Sequence, residues 1–320
     1  MNILDRPHSG EVRSRASLLP GARIDFYNGP GEMATRIRLS SGTLRAADDE
    51  ALAQRYGNNT FVPRKPWREA TVEELALLYF DRATGGPPWR ASSDIAIIRV
   101  PEQIVANFVE MLEQHGIREV AKKETYTTIA MHPRWTENLA ALGRHLEGMT
   151  DGDLKQIFFR LADADQLTIT KNDFGVEGHR QLHVGLHIDH WDRLPLRHRD
   201  RARNRICINL GREPRYSLFF NLPMMDMFRA AGLRDPEDIY ADFRGLYLGR
   251  RFMEACPDYP VVGLRLDPGE AYILPTDNLI HDASTETNRF TDITLTYLGL
   301  FFPEGLKPEA SKNREPAGAG

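Results

Sequence analysis

Hydrophobic and polar residues alternate in short runs through the second half of the chain, from about residue 165 onward. Alternation with a period of two places successive side chains on opposite faces and is typical of half-buried β-strands. Residues that favour turns separate the runs, so each run predicts one short strand. The predicted strands are QLTITKNDF (166–174), QLHVGLHID (181–189), RICINLG (205–211), YSLFFNL (216–222), YPVVGLRL (259–266), AYILP (271–275), NLIH (278–281) and DITLTYLGLFF (292–302).

The first half of the chain mixes patterns of helices and strands. Thr71 followed by Glu74 is a capping-box sequence, and Pro101 suits the first turn of a helix. Apolar residues at spacings of three and four predict the other helices. Helices are predicted at 71–82, 101–114, 135–147 and 151–161, and strands at 24–28, 36–40, 93–100 and 125–130.

These elements predict an α+β protein whose core is a double-stranded β-helix, or jelly roll, flanked by helices. Residues 1–154 are expected to form a mixed helical and strand region that packs on the core. Residues 155–302 are expected to form the core itself, with a helical insertion at about 223–247. The tail, 303–320, is rich in proline, glycine, alanine, lysine and glutamate, and is expected to be disordered.

Composition narrows the function classes. The formal net charge of −4 and the lack of an aromatic and basic stripe argue against nucleic acid as a partner. No apolar run reaches the length of a membrane span, and the N-terminus lacks an apolar signal core. Two cysteines in 320 residues fit a reducing cytosol rather than a disulfide framework. The sequence leaves the oligomeric state open.

The segment QLHVGLHIDHW (181–191) carries the candidate chemistry. On an extended strand His187 and Asp189 share a face, which offers two adjacent ligands to a metal ion. Two histidines and one carboxylate form the facial triad of non-haem iron(II) oxygenases. His281, at the end of GEAYILPTDNLIH (269–281), is the candidate third ligand. His183 is interpreted as a core or supporting group, and His190 is expected to point away from the metal.

These motifs resemble the iron(II)- and 2-oxoglutarate-dependent dioxygenases. The resemblance covers about residues 155–302 and rests on the HxD pair, the distal His281 after a GEAYILP run, and Arg289-Phe290-Thr291. It implies one Fe(II) bound by His187, Asp189 and His281, with O₂ and 2-oxoglutarate as co-substrates. It also implies that Arg289 and Thr291 bind the distal carboxylate of 2-oxoglutarate.

Parity on the last strand supports an inward Arg289, because it shares a face with Thr291, Ile293, Leu295 and Tyr297, interpreted as an apolar lining. Arg205 and Arg212 are the alternatives for the anchor. In the halogenases of the family that the chain resembles, a small residue replaces this carboxylate, so with Asp189 present the resemblance implies hydroxylation or a related oxidation. The expected substrate is a small molecule, such as an amino acid or a natural-product intermediate.

Other interpretations remain open at the level of sequence. One is an enzyme of the same fold that uses iron and O₂ without 2-oxoglutarate, and another is a cupin-like isomerase or binding protein. The arginine-rich stretch 193–205 is either a solvated basic loop or a clamp for an anionic substrate. Tyr216 and Asn221 are further candidates for the pocket lining.

Overall fold

The computed structural model describes residues 17–82, 88–118, 128–152, 154–172, 181–232 and 246–308. Within these ranges no helix is both long enough and apolar enough to cross a bilayer. The predictions for 125–127, for the end of the first core strand (173–174) and for most of the tail (309–320) lie outside the described residues.

The N-terminal half alternates short strands with helices. Its strands are β1 (Ile24–Phe26), β2 (Ile37–Ser40), β3 (Thr43–Arg45), β4 (Phe61–Pro63), β5 (Trp67–Glu69) and β6 (Ile95–Arg99). Its helices are α1 (Pro30–Met33), α2 (Glu50–Ala53), α3 (Val72–Leu78), α4 (Glu102–Gln114) and α5 (Pro133–Glu147). The predicted capping box begins α3, since Thr71 accepts from the Glu74 amide while the Glu74 carboxylate accepts from the Thr71 amide.

The C-terminal half is mostly strands. They are β7 (Lys155–Ala162), β8 (Asn204–Asn209), β9 (Arg215–Phe219), β10 (Val262–Leu266), β11 (Glu270–Leu274), β12 (His281–Ser284) and β13 (Asp292–Gly299). Between β9 and β10 the chain forms α6 (Met224–Ala230) and α7 (Leu246–Ala255), so the predicted helical insertion continues beyond 247. A 3₁₀ helix spans Leu196–Arg201.

The strands form two large sheets and one small one. The six-stranded sheet has the order β1-β6-β11-β8-β13-β7, the five-stranded sheet β12-β9-β10-β2-β5, and β3 pairs with β4. Neighbouring strands are antiparallel except for the parallel pair β1 and β6. The N-terminal strands β1, β6, β2 and β5 therefore extend both sheets of the C-terminal half by direct hydrogen bonding.

The central strands β11, β8 and β13 of the six-stranded sheet are buried on both faces. One face packs under α4 and α5, where Ile206, Ile208, Ile293, Leu295 and Tyr297 join the helices in one apolar cluster. The opposite face looks toward the five-stranded sheet. We call this the inner face; on β8 and β13 it carries Arg205, Cys207, Asn209, Asp292, Thr294 and Thr296. The prediction that Ile293, Leu295 and Tyr297 line the interior is therefore wrong, because the helices cover them instead.

Three of the predicted elements differ from the structure. Residues 155–162 form β7 rather than a helix, because they pair along their length with β13. The described residues 166–172 of the predicted strand 166–174 form only an isolated bridge at Lys171, and residues 181–189 form only isolated bridges at His183 and His187. Gly185 interrupts this segment with a φ of +66°, and a Cβ there would lie 2.5 Å from the Phe61 carbonyl oxygen, so the alternation assumed for a regular strand is broken.

Smaller differences lie at the edges of elements. Residues 128–130 are helical rather than extended, and the strand expected at 278–281 begins at His281 instead of ending there. The start of the tail is ordered: Lys307 donates to the Thr150 carbonyl at 2.6 Å, and Arg82 donates to the Glu304 carbonyl at 2.7 Å. The disorder expected from residue 303 is thus wrong for the described residues 303–308.

Candidate metal centre

The side chains of His187, Asp189 and His281 converge on the inner side of the five-stranded sheet. One donor atom from each lies within 4.8 Å of the other two, and no other such cluster occurs among the described residues. Asp189 Oδ1 is 3.8 Å from His187 Nε2, and Asp189 Oδ2 is 3.6 Å from His281 Nε2. Two bonds of about 2.1 Å to one ion span up to about 4.2 Å, so both separations suit a shared metal.

Backbone hydrogen bonds hold the two histidines side by side. The amide of each donates to the carbonyl of the other, at 3.0 Å from His187 and 2.8 Å from His281, and the ring centroids are 4.6 Å apart. Each Nδ1 also lies near a carbonyl, Gly185 at 2.7 Å and Leu279 at 3.1 Å. Since a carbonyl only accepts, both Nδ1 atoms act as donors, which leaves the Nε2 atom of each ring as the one available to a metal ion.

Arg205 of β8 lies directly against the donor atoms. Its Nη1 is 2.8 Å from Asp189 Oδ2, and its Nη2 is 2.8 Å from His281 Nε2. The side chain is 14% exposed, and the Arg205 Nε has no hydrogen-bond partner among the described residues. A buried cation is therefore part of the site, which the sequence suggested only as a substitute anchor.

Burial and charge set the ionisation of the donors. Burial lowers the pKa of His281 well below its usual value, so the ring is neutral near pH 7. Burial alone would raise the pKa of Asp189, but Arg205 and the two histidines outweigh it and lower that pKa. The site therefore offers one carboxylate and a neutral imidazole at neutral pH, the forms that bind a divalent cation.

The arginine-rich stretch supports the site from behind. Arg199 is fully buried, and its Nη1 donates to the carbonyls of Asp189 at 2.9 Å and Asp277 at 2.6 Å. Its Nη2 contacts His190 Nδ1 at 2.9 Å, so His190 points away from the donors as predicted. The interpretation as a solvated basic loop holds for exposed residues such as Arg201 but not for Arg199.

The expected anchor Arg289 lies outside. Its side chain is 81% exposed, its Nε is 3.6 Å from Glu213 Oε1, and its amide donates to Glu213 Oε2 at 2.7 Å. Regular strand begins only at Asp292, after a turn in which Thr287 has a φ of +71°. The inward position inferred from strand parity is therefore wrong for Arg289. Thr291 is half-buried just before β13, and Arg212 is exposed with its guanidinium 4.5 Å from the Phe290 ring.

A buried arginine that sequence reasoning missed lies on the inner side of β9. Arg215 is 2% exposed and forms an ion pair with Asp292 of β13 at 3.0 Å. Its Nε and the Ser217 hydroxyl have no hydrogen-bond partner among the described residues. Ser217 faces the same way as Phe219, which pairs with His281 in the ladder. The sequence does contain a sign of this ion pair, because Arg215 and Asp292 are oppositely charged residues at the starts of two mostly apolar strands.

The remaining sequence candidates have structural partners. Tyr216 lies on the outer side of its sheet, where the Arg38 guanidinium is 3.6 Å from the ring centroid. Asn221 accepts from the Tyr259 hydroxyl at 2.7 Å and donates to the Leu19 carbonyl at 2.7 Å. His183 is buried beside Tyr56, with ring centroids 5.1 Å apart, in agreement with its interpretation as a core group.

Comparisons with known proteins add little to this geometry. Neither a protein-family model nor a curated protein sequence matches the chain. A solved structure that is similar is the crystal structure of the non-heme alpha-ketoglutarate-dependent epimerase SnoN from nogalamycin biosynthesis. The identity is 14%, the match covers 72% of this chain and 89% of that chain, and the TM-score is 0.30. A likeness this weak assigns neither the fold nor the function of the chain.

Proposed function

We propose that the protein is a non-haem iron(II)- and 2-oxoglutarate-dependent dioxygenase that hydroxylates, or otherwise oxidises, a C–H bond of a small molecule. The observation that carries the proposal is the convergence of His187, Asp189 and His281, whose donor atoms lie within 4.8 Å of one another. Two imidazoles and one carboxylate on one side of an ion leave the opposite positions open for further ligands.

The order of the strands supports a jelly-roll core. In one sheet β7, β13, β8 and β11 are neighbours, and in the other β12, β9 and β10 are neighbours, with the bridged residue His187 beside β12. From β7 onward, with the bridged residue His187 counted beside β12, strands that follow each other along the chain fall alternately into the two sheets, except for β9 and β10, which pair within one sheet; this is the pattern of a jelly roll. In this arrangement His187 and His281 lie on neighbouring strands and face the space between the sheets.

The donor set fits iron(II). Neutral imidazole and carboxylate are ligands that divalent iron accepts, and no thiolate, which would favour zinc or an iron–sulfur cluster, is part of the donor set. Bound Fe(II), together with 2-oxoglutarate and O₂, would supply the oxidising equivalents for attack on an unactivated C–H bond. The chain's own part is to hold the donors, keep His281 neutral and exclude water from the space between the sheets.

Arg215 fits the distal carboxylate of 2-oxoglutarate better than Arg289 does. It lies on the inner face, on the strand that pairs with the one carrying His281, and its Nε and the neighbouring Ser217 hydroxyl are buried donors without a partner among the described residues. A buried donor left unpaired is costly, and a carboxylate accepts from several donors at once. Arg215 is therefore our candidate anchor, with Ser217 beside it.

A small-molecule substrate agrees with the space beside the donors. A cavity of about 370 Å³ has His187, but neither Asp189 nor His281, among its lining residues, and its volume falls in the size range of small-ligand sites. The lining also includes the apolar side chains of Leu186, Met253 and Ile280 and the polar side chains of Asn58 and Arg250. Such a lining suits a mainly apolar molecule with a polar group at one end.

Anaerobic titration tests the proposal. The protein should bind one Fe(II) per chain, and added 2-oxoglutarate should produce a metal-to-ligand absorption band; exposure to O₂ should then convert 2-oxoglutarate to succinate. His281→Ala should lose the band and the succinate, whereas His198→Ala, in the 3₁₀ helix, should keep both. Oxygen consumption without succinate would point to an oxidase that uses no 2-oxoglutarate. Failure to bind Fe(II) would contradict the proposal.

A further inference from the structure

We infer that Arg205 competes with the metal ion for Asp189 and His281, so that the ion binds only by displacing the Arg205 guanidinium. The inference rests on the proposed function, since it concerns the same three donors. It adds that the positively charged Arg205 side chain sets the metal affinity of the site.

The contacts of Arg205 carry the inference. One guanidinium nitrogen is 2.8 Å from Asp189 Oδ2, and the other is 2.8 Å from His281 Nε2. These two atoms are one of the two carboxylate oxygens of Asp189 and the one His281 nitrogen left for an ion, because Nδ1 of His281 is already engaged with the Leu279 carbonyl. The fork of the guanidinium thus spans one carboxylate oxygen and one imidazole nitrogen, as a shared metal ion would.

Space and charge make the two cations exclusive. An ion bonded to Asp189 Oδ2 and His281 Nε2 would need the two atoms that the Arg205 nitrogens already contact at 2.8 Å. The lone pair on His281 Nε2 either accepts from Arg205 or binds the ion, since an imidazole nitrogen has only one. Repulsion between a divalent ion and a guanidinium in a site shielded from water adds to the conflict.

Arg205 is also held in place by its strand. It lies within β8, where it pairs with Leu274 of β11 on one side and Leu298 of β13 on the other. The backbone is therefore fixed, and displacement must come from rotation of the side chain alone. An arginine side chain has enough rotatable bonds for this movement, but it gives up the ion pair with Asp189 when it moves.

Metal affinity measured on two variants tests the competition. Arg205→Met removes the guanidinium and keeps an unbranched apolar side chain of suitable length, and Arg205→Lys keeps one charge that reaches only one of the two donors. Arg212→Met is the matched control, because Arg212 is exposed beyond the end of β8. The probes are Fe(II) under anaerobic conditions and Co(II), whose absorption spectrum reports ligation directly.

We expect Arg205→Met to bind the ion at least about tenfold more tightly than wild type, Arg205→Lys to be intermediate, and Arg212→Met to match wild type. The ion should also raise the melting temperature more in Arg205→Met than in wild type, because the variant's Asp189 lacks a counter-charge until the ion binds. Circular dichroism shows whether each variant is folded.

The outcomes separate this inference from the proposed function. Equal or weaker affinity in a folded Arg205→Met would overturn the competition while the metal centre stood. If wild type and both Arg205 variants all failed to bind Fe(II) and Co(II), the metal centre itself would be wrong, and the competition with it. Binding by Arg205→Met but not by wild type would support the competition and contradict the proposed function, because Arg205 would then keep the natural site closed to metal.

Discussion

The two faces of β13, in the six-stranded sheet, are both buried but differ in chemistry. On β13 the outer face presents Ile293 and Leu295 to helices α4 and α5, whereas the inner face presents Asp292, Thr294 and Thr296 to the five-stranded sheet. The outer face holds the helices to the sheet by apolar contact. The inner face gathers charged and polar groups around the candidate metal centre.

The comparison shows that burial alone does not identify the lining of a site. Every residue of β13 is buried, so its alternation of apolar and polar residues does not distinguish a buried face from a solvent-exposed face. The apolar residues mark the face under the helices, and the polar residues mark the face toward the site. Buried polar residues need partners, and here the partners are one another and, as we propose, the ligands of the enzyme.

The largest expected effect on binding belongs to the carboxylate of the donor set. Asp189→Ala should weaken Fe(II) binding by more than about a thousandfold, since the ion loses its only charged ligand. It should also cost about 3–5 kcal/mol of stability, because Arg205 is left buried without its counter-charge. Isothermal titration and urea denaturation measure the two effects.

Two further variants show whether the loss is specific. Asp189→Ala combined with Arg205→Met should recover most of the stability and none of the metal affinity, because it removes the unpaired charge but restores no ligand. Asp200→Ala, in the exposed part of the arginine-rich stretch, should change neither. Wild-type affinity in Asp189→Ala would remove Asp189 from the metal centre.

The next effect contrasts an inner arginine with an exposed one. Arg215→Met should weaken 2-oxoglutarate binding by about thirtyfold or more, the cost of one charged contact of about 2–5 kcal/mol, and should leave Fe(II) binding nearly unchanged. Arg289→Met should change neither, because its side chain is 81% exposed. Anaerobic titration of the iron-loaded protein measures both affinities.

Arg215 also pairs with Asp292, so its variant needs a check of the fold. Burial raises the pKa of Asp292, although Arg215 lowers it, and loss of Arg215 should raise it further until the carboxyl takes up a proton. Arg215→Lys, which keeps the charge, should bind 2-oxoglutarate with intermediate affinity. A folded Arg215→Met with wild-type affinity would move the anchor elsewhere.

The sequence alone points to the three residues that the structure brings together, but it does not predict which residues surround them. His187 and Asp189 are recognisable because they lie two residues apart in a predicted strand, and distant His281 because it ends a predicted strand. Most core strands from β8 onward were also predicted, since alternation reports them directly. Which face looks inward depends on where the helices pack, and a strand's own sequence does not contain that information.

The arginines of the site also show that a strand's own sequence does not reveal which side chains point inward. The parity argument for Arg289 extends the predicted strand 292–302 back to residue 289, but hydrogen bonds from the amides of Arg289 and Phe290 to Glu213 hold a turn there. The sequence offers Arg205 only as an alternative 2-oxoglutarate anchor, and it shows Arg215 only as a charged residue before a predicted strand. Burial of an arginine depends on partners from distant strands, which neither segment contains. Their partners Asp189 and Asp292 are brought near by the sheets alone.

A smaller effect is expected from the arginine behind the donors. Arg199→Met should weaken Fe(II) binding by about tenfold, because the Asp189 carbonyl loses a donor and the carboxylate loses its fixed position. Arg201→Met, exposed in the same 3₁₀ helix, is the control. With Co(II) bound, Arg199→Met should also change the absorption spectrum, which a loss of stability alone would not do. An unchanged spectrum and affinity would make Arg199 purely structural.

The smallest effect on binding separates the two faces most directly. Leu295→Ala on the outer face should destabilise the fold by about 2–5 kcal/mol through a cavity under the helices, and leave 2-oxoglutarate affinity unchanged. Ser217→Ala on the inner side of β9 should show the opposite result. Its hydroxyl has no partner among the described residues, so its removal should cost little stability, yet affinity should fall about fivefold, as for one lost hydrogen bond. Denaturation and anaerobic titration of both variants give the four values. If Leu295→Ala lowered affinity at native stability, or Ser217→Ala lowered stability alone, the outer face would not be the one that stabilises the fold and the inner side not the one that binds 2-oxoglutarate.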